Sequence, residues 1–324
     1  MTPAPLQNTP PKLAVVIPAY KETFFSRTLE SLAAQTDRDF KIYIGDDCSP
    51  HDLKKIADRF SDRLRISYTR FTTNIGAKHL VKQWERCMTL VQDEDWVWFF
   101  SDDDLASPNC VEVLRNKLKT TNGDVYRFNT CVIDGNDQLL WPTVPGPDFE
   151  SAEQMALNIL LGKRGNSMPD HVFSTDVYAR KGGFVYTPYA QAADWATSIR
   201  FAQDKGMHIV QDGLVSWRLG STSISSTVSK NRPETMLGHY CFIEWVLGHF
   251  KYLQTSPGDV NYEQIRAAAL INLKTVIVYH YKGLPPTMYW SHLRFLRRHF
   301  DLPWTEAMRH LASIVTWHWR HRPH

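Results

Sequence analysis

The chain has 324 residues, 43 % of them hydrophobic, enough to bury one large core or two smaller ones. Its 37 Lys and Arg against 34 Asp and Glu give a formal charge of +3, too balanced to argue for a nucleic-acid partner. Cys48, Cys87, Cys110, Cys131 and Cys241 are odd in number and lack CxxC or Cys/His ligand spacing, which disfavours a disulfide frame and fits reduced thiols filling a core in a cytoplasmic protein.

The first twelve residues, MTPAPLQNTPPK, hold four prolines and no uninterrupted apolar stretch, so a cleaved signal peptide is not expected and residues 1–11 read as a disordered tail. LAVVIPAY (13–20) is a nearly continuous apolar run closed by turn chemistry, the pattern of a strand buried on both faces, and KIYIGDD (41–47) repeats it. Between them Leu29, Leu32 and Ala33 recur at helical spacing. Ser49-Pro50-His51-Asp52 reads as a capping box with Pro at the first helical position, opening a helix whose Leu53, Ile56 and Phe60 share a face. LRISYTRF (64–71), a helix over 75–91 carrying Leu80, Trp84, Met88 and Val91, and DWVWFF (95–100) continue the alternation. Ser107-Pro108 then opens a helix with Val111, Leu114 and Leu118 inward. Such alternation predicts an α/β fold with a mostly parallel sheet flanked by helices, over residues 12–230.

From about residue 231 helical patterns rich in aromatic, His and Arg residues take over, which predicts a helical C-terminal extension over 231–324. No run of about 18 uncharged apolar residues occurs. The best candidate, AAALINLKTVIVYHY (267–281), is interrupted by Asn272 and Lys274, so no membrane span is expected.

Ligands of α/β sheets bind beyond the carboxyl ends of the strands, and there this sequence places Asp46-Asp47 and SDDDLASP (101–108). The glycine-rich phosphate cradles GxGxxG and GxxxxGK[ST] are both missing. Three adjacent carboxylates therefore point to a hard divalent cation able to bridge phosphate oxygens. The plainer alternative is that they cap the following helix, whose N-terminus favours anions.

VVIPAYKE (15–22), IGDDCS (44–49), NIGAKH (74–79) and SDDDLASP, in that order and spacing, resemble the GT-A fold of family 2 glycosyltransferases, which are inverting enzymes of the kind that build bacterial surface polysaccharides such as O-antigen or capsule. The resemblance covers roughly residues 12–226. It implies that Pro18, Tyr20 and Glu22 line a nucleoside pocket, that Asp47 accepts from a uracil ring nitrogen, that Asn74 and Gly76 close over the uridine, and that Lys78 approaches phosphate. The family's DxD element falls on Ser101-Asp102-Asp103, with Ser in place of the first acid. Asp103 then takes the metal-ligating position for Mn²⁺ or Mg²⁺, Asp102 faces the ribose or sugar, and Asp104 is left without a role. Packing, strand termination and solvation remain the alternative readings of Tyr20, Pro18 and Lys78.

Inversion needs a carboxylate to take the acceptor hydroxyl's proton. The family's ED pair falls on Ala193-Asp194 in AQAADWATSIRFAQDKG (190–206), which makes Asp194 the base by resemblance, with KGGF (181–184) upstream also family-like. SWRLGSTSIS (216–225) resembles the family's closing segment, in which Arg218 meets the pyrophosphate; where some relatives follow with a metal-binding His, this chain has Gly220.

Near the C-terminus Tyr289, Leu293, Leu296 and Phe300, then Trp304, Met308, Leu311 and Val315, repeat at helical spacing. Residues 280–324 carry seven Lys or Arg against two acids, with seven His and four Trp. Basic, aromatic amphipathic helices can lie on anionic lipid, so peripheral contact with the inner face of a membrane through 287–320 stands beside docking on the catalytic domain or on a second subunit. The expected partners are a nucleotide-sugar donor, UDP foremost, and a glycan or lipid-linked acceptor, with self-association left open. The alternatives are a non-catalytic nucleotide-sugar-binding subunit and a sugar nucleotidyltransferase, although PAYKETFF lacks the glycine-rich basic loop of the latter.

Overall fold

The structure, a computed structural model, describes residues 11–219, 232–253 and 259–321. These residues fall into two compact units. One comprises the described residues up to Ser151 together with Ser167–Phe184 and Arg200–Leu219; the other comprises Ala152–Asn166, Val185–Ile199 and the described residues beyond 231. Most of the tail expected over 1–11 lies outside the described residues.

The first unit holds one ten-stranded sheet: β1 (Leu13–Ala19), β2 (Phe40–Asp46), β3 (Ile66–Arg70), β4 (Trp96–Phe99), β5 (Leu105–Ala106), β6 (Val125–Ile133), β7 (Leu139–Pro142), β8 (Phe149–Glu150), β9 (His171–Ser174) and β10 (Met207–Arg218). Its order is β3-β2-β1-β4-β9-β6-β10-β5, with β7 pairing on β6 and β8 on β10. The longer ladders, β1–β2, β2–β3, β1–β4 and β6–β10, are parallel. Those made by β5, β7, β8 and β9 are short and antiparallel. β1 is apolar on both faces because helices cover both, and Val15 and Ile17 share one core with Leu29 and Leu32 of α1 (Phe25–Ala33). Pro18 is tolerated in this central strand because β1's ladder with β4 ends at Val16, so no partner there needs its missing N–H.

α2 (Leu53–Asp58) begins three residues later than the Ser-Pro signal suggests. Asp52 is its N-cap and accepts from Lys55 N at 3.1 Å, while Ser49 Oγ donates instead to Tyr20 O at 2.6 Å. α3 (Gly76–Met88) and α4 (Cys110–Thr120) follow as their apolar spacing requires. α5 (Ala152–Leu160) belongs to the second unit and α6 (Thr175–Lys181) to the first. Phe184 centres an aromatic cluster in the first unit, with the rings of Trp84, Phe99, Phe173 and Tyr178 between 5.1 and 5.9 Å away.

In the second unit α5 and the first turns of α7 (Ala193–Phe201) join α8 (Arg232–Phe250), α9 (Tyr262–Thr275), α10 (Tyr289–Phe300) and α11 (Trp304–Arg320). Asn261 and Gln264 form a capping box that starts α9. Buried Asn272 donates to Leu160 O at 2.9 Å and meets His239 Nε2 at 3.0 Å, so α9, α5 and α8 share a satisfied polar bridge. Leu293, Leu296 and Phe300 of α10 point inward, as their spacing predicts. α11 turns differently: Ala307, Leu311 and Ile314 are buried, whereas Trp304, Met308 and Val315 are exposed. Leu311 belongs to both stripes, and the small Ala307 allows a closer approach than Met308. Among the described residues no helix is long and apolar enough to cross a membrane.

Candidate active site

Because β2 and β4 both flank β1, the residues that leave these strands at their carboxyl ends converge. Asp102 is buried, and its Oδ2 accepts from the backbone N–H groups of Tyr20 (2.8 Å) and Lys21 (2.7 Å). Its Oδ1 lies 3.3 Å from Lys21 Nζ, which also forms an ion pair with Asp103. Burial pushes the Asp102 carboxyl above the ordinary carboxylate range and the neighbouring Asp103 adds to this, while Lys21 opposes it. Burial disfavours the Lys21 ammonium, yet the charges of Asp102 and Asp103 hold it above its usual range. The Asp103 side chain keeps 15 % exposure.

Asp104 turns into the fold. Ser101 Oγ donates to its Oδ2 at 2.7 Å and Arg218 N to its Oδ1 at 2.8 Å, and burial, then the charge of Asp103, pushes its pKa up to about 7. Ser101, standing where the family has an acid, thus holds Asp104 in place. Arg218, expected from resemblance at the pyrophosphate, is 1 % exposed in this structure. Its Nε donates to Asp103 O (2.8 Å) and Nη1 to Asp134 O (2.6 Å), its Nη2 pairs with Asp137, and its guanidinium covers the Phe24 ring at 4.2 Å. It therefore braces the backbone of the aspartate loop and presents no donor to solvent. Gly220 and the rest of 220–225 lie outside the described residues.

On the other side of β1, Asp47 gathers the segment after β3. Its Oδ1 accepts from Ile75 N (2.9 Å) and from Arg86, its Oδ2 from Gly76 N (2.7 Å). Gly76 is required by space: a Cβ there would stand 2.6 Å from Asp47 Oδ2. Asn74 Oδ1 meets Ala77 N at a long 3.4 Å, and both Asn74 and Lys78 are exposed. Tyr20 is exposed, with its carbonyl tied to Ser49; Glu22 pairs with His51 Nδ1 at 2.9 Å; Pro18 is partly buried. Asp46, fully buried, accepts from Ser49 N and Arg70, each at 2.7 Å, and from Tyr68.

The donor set bears on a divalent cation. Among the described residues no group of three or more His, Cys, Asp or Glu gathers round one point. Asp103 is the most accessible of the three carboxylates, with Asp102 Oδ1 beside it. Such a set fits Mg²⁺ or Mn²⁺ only as a shared site, in which one or two carboxylates are completed by phosphate oxygens and water. It also requires Lys21 to move.

Asp194 lies in the second unit, on the first turn of α7, and is partly buried. The backbone before it is strained: Tyr189, Ala190 and Ala192 have φ of 55°, 53° and 55°, a region L-residues seldom adopt. Thr187 Oγ1 donating to Gln191 O (2.8 Å) and Ala190 N to Thr187 O (3.0 Å) hold the turn. In KGGF, Gly182 ends α6 at φ 73° and Gly183 lets Glu85 approach, where it accepts from Phe184 N at 2.7 Å.

Sequence reasoning missed Lys21 and Arg86. Lys21 carried one local signal, a lone cation between Tyr20 and Glu22 facing an otherwise acidic crevice. Arg86 carried none, since it reaches Asp47 across 39 residues.

Several known proteins resemble this chain in sequence or fold. Residues 14–174 match the model of Glycosyl transferase family 2. A Haemophilus influenzae protein described as an uncharacterized glycosyltransferase is 27 % identical over 174 residues, 53 % of this chain and 55 % of that protein. The validoxylamine A glucosyltransferase of Streptomyces hygroscopicus subsp. limoneus is 39 % identical over 69 residues, 20 % of this chain and 15 % of that enzyme. The chain thus spans about half the length of the first relative and less of the second. Among solved structures, S. aureus TarS 1-349 in complex with UDP-GlcNAc superposes with a TM-score of 0.67 at 16 % identity, covering 95 % of this chain and 89 % of that one, and its UDP complex with 0.65 at 15 %. The family match over residues 14–174 shows that the chain belongs to glycosyl transferase family 2, and the fold it shares with TarS is a GT-A fold with C-terminal helices.

Proposed function

We propose that the chain transfers a sugar, of hexosyl or N-acetylhexosaminyl type, from a nucleotide donor, UDP in the first place, to a hydroxyl of a glycan or lipid-linked acceptor, with inversion at the anomeric carbon. The observation that carries this reading is the pairing of two acidic devices across β1: Asp47 gripping the Ile75–Gly76 amides, and Asp102 gripping the Tyr20–Lys21 amides with Asp103 beside it. The first suits a nucleoside and the second a diphosphate with its counter-ion. TarS, whose fold this chain shares, binds UDP-GlcNAc and UDP in its crystals, which supports the donor class.

On this reading Tyr20, Pro18 and Glu22 line the nucleoside side, and Asn74, Gly76 and Lys78 belong to the loop beside it. Arg218 positions Asp103 through its carbonyl. Mn²⁺ or Mg²⁺, held by Asp103 with Asp102, would supply charge neutralisation for the diphosphate. Asp194 takes the acceptor hydroxyl's proton while the new C1–O bond forms and the C1–O bond to the diphosphate breaks, so the nucleotide leaves as an anion and no enzyme-bound sugar is needed. The strain at Tyr189–Ala192 supports this role, since costly backbone persists where a side chain must be aimed. Bacterial surface polysaccharide is the acceptor class that the resemblance favours.

Nucleotide release from a panel of nucleotide sugars, with Mn²⁺ or Mg²⁺ present, tests the proposal. Wild type is expected to release UDP. Asp194→Asn should lose about 10²–10⁴ in kcat, the range for a general base, with UDP affinity unchanged. Equal turnover by wild type and Asp194→Asn would remove Asp194 from the mechanism, and no release from any donor would remove the reading.

A further inference from the structure

Among the described residues, one apolar stripe of the second unit stays largely exposed. Trp304, Met308, Val315 and Trp319 of α11 are 43, 51, 36 and 69 % exposed, although they recur at i, i+4, i+11 and i+15, the spacing of a single helix face. On α10, Trp290 is 55 % exposed, and its ring stacks on that of Trp304 with centroids 5.4 Å apart. Arginines edge this surface. The guanidinium of Arg294 lies 5.3 Å from the Trp290 ring centre and that of Arg297 4.4 Å from the Trp304 ring, and Arg298, Arg309 and Arg320 are exposed on the same two helices. Between Tyr289 and His321 the only acids are Asp301 and Glu306, and Asp301 is held by Arg266 at 2.8 Å.

We propose that this face docks on a membrane surface bearing anionic headgroups, with α10 and α11 lying in the interfacial plane. Soluble proteins expose large apolar side chains singly, whereas here they adjoin one another and are edged by cations. Tryptophan suits the boundary between headgroups and acyl chains, and arginine pairs with phosphate oxygens while its stem covers the ring beneath it. Charge selects among occupants. A two-fold contact between copies repeats the same patch on both sides and would bring the arginine edges of the two copies together, whereas anionic lipid neutralises them. This inference does not depend on the proposed chemistry, because it uses none of the residues of the strand-end crevice.

Co-sedimentation of the full chain with vesicles tests it, comparing phosphatidylcholine alone with phosphatidylcholine mixed with phosphatidylglycerol. Binding is expected on the mixed vesicles and should weaken with added salt. Arg294→Gln and Arg297→Gln should each weaken it about fivefold, and Trp304→Ser with Trp319→Ser about tenfold or more. Quenching of tryptophan fluorescence by brominated lipid reads the same contact on the wild type and needs no variant to fold. Equal binding to both vesicle types, or binding that none of these substitutions changes, overturns the proposal. A chain that ignores vesicles and sediments as a dimer broken by Trp304→Ser overturns it in favour of a second copy.

Discussion

The ammonium of Lys21 stands against the two carboxylates that a divalent cation would use, so cation and lysine compete for Asp103. Removing the lysine as Lys21→Met should tighten Mn²⁺ binding to the nucleotide-free protein by about tenfold, since a like charge next to the ion is lost. Calorimetry reads this, and an unchanged affinity would mean that Lys21 swings away at no cost. Gly76 offers a second test on the nucleoside side. A Cβ 2.6 Å from Asp47 Oδ2 must push the carboxylate off its amides, so Gly76→Ala should weaken UDP binding about tenfold and lower stability by about 1–3 kcal/mol. The sequence singles out Asp47, Asn74 and Gly76 because each lies in a short motif that resembles the family's, and the structure brings Asp47 and Gly76 together. What stayed hidden was pairing over distance: Lys21 finds Asp103 across 82 residues, and Arg218 braces the loop of Asp103 across 115, contacts that exist only once β1, β4 and β10 share a sheet.

At the scale of elements, the strands that announced themselves are those whose apolar runs are continuous. β1, β2 and β4 end within a residue or two of where the sequence places them. β6 to β9 gave no such signal. β6 reads VYRFNTCVI, with Arg127, Asn129 and Thr130 in its middle, a pattern that looks like surface. Arg127 is nevertheless buried, because its Nε meets Asp170 Oδ2 at 2.6 Å from 43 residues away, and Ser167 caps that aspartate from the other side. Against the cost of burial, the Arg127 and His171 charges hold Asp170 well below the usual carboxylate range. Asp170→Ala should therefore cost about 3–5 kcal/mol, the penalty for removing one partner of a buried ion pair, as read by urea denaturation. A loss within the scatter of surface substitutions would show that Arg127 reaches water. The face of α11 was ambiguous for a different reason: two stripes at helical spacing share Leu311, and packing against the rest of the unit selects the one with the smaller side chain.

For the molecule as a whole, the two units should answer differently to acid. In the second, Tyr240 Oη lies 2.8 Å from His292 Nδ1, and His292 Nε2 lies 3.2 Å from His310 Nδ1. Burial depresses His292 to about 3, with His310 adding, and depresses His310 to about 4, with Lys274 adding; His239 also falls to about 4 by burial, opposed by Asn272. Unfolded imidazoles take up protons near about pH 6.5, while these three stay neutral. Their contribution is complete above that pH and drains away as pH falls towards 4, at about 1.4 kcal/mol for each unit of depression. Helical signal from the C-terminal helices should therefore melt earlier at about pH 5 than at about pH 7, and His292→Gln should flatten the dependence. A melting profile indifferent to pH across that window would mean that the imidazoles are solvated. Whether the strand ends of the first unit receive a nucleotide diphosphate is read most directly from a crystal grown with UDP and Mn²⁺. Uracil is expected beside Asp47 and the diphosphate over Asp103, with Lys21 displaced. Nucleotide bound elsewhere, or a crevice still closed by the Lys21 to Asp103 ion pair, would contradict that expectation.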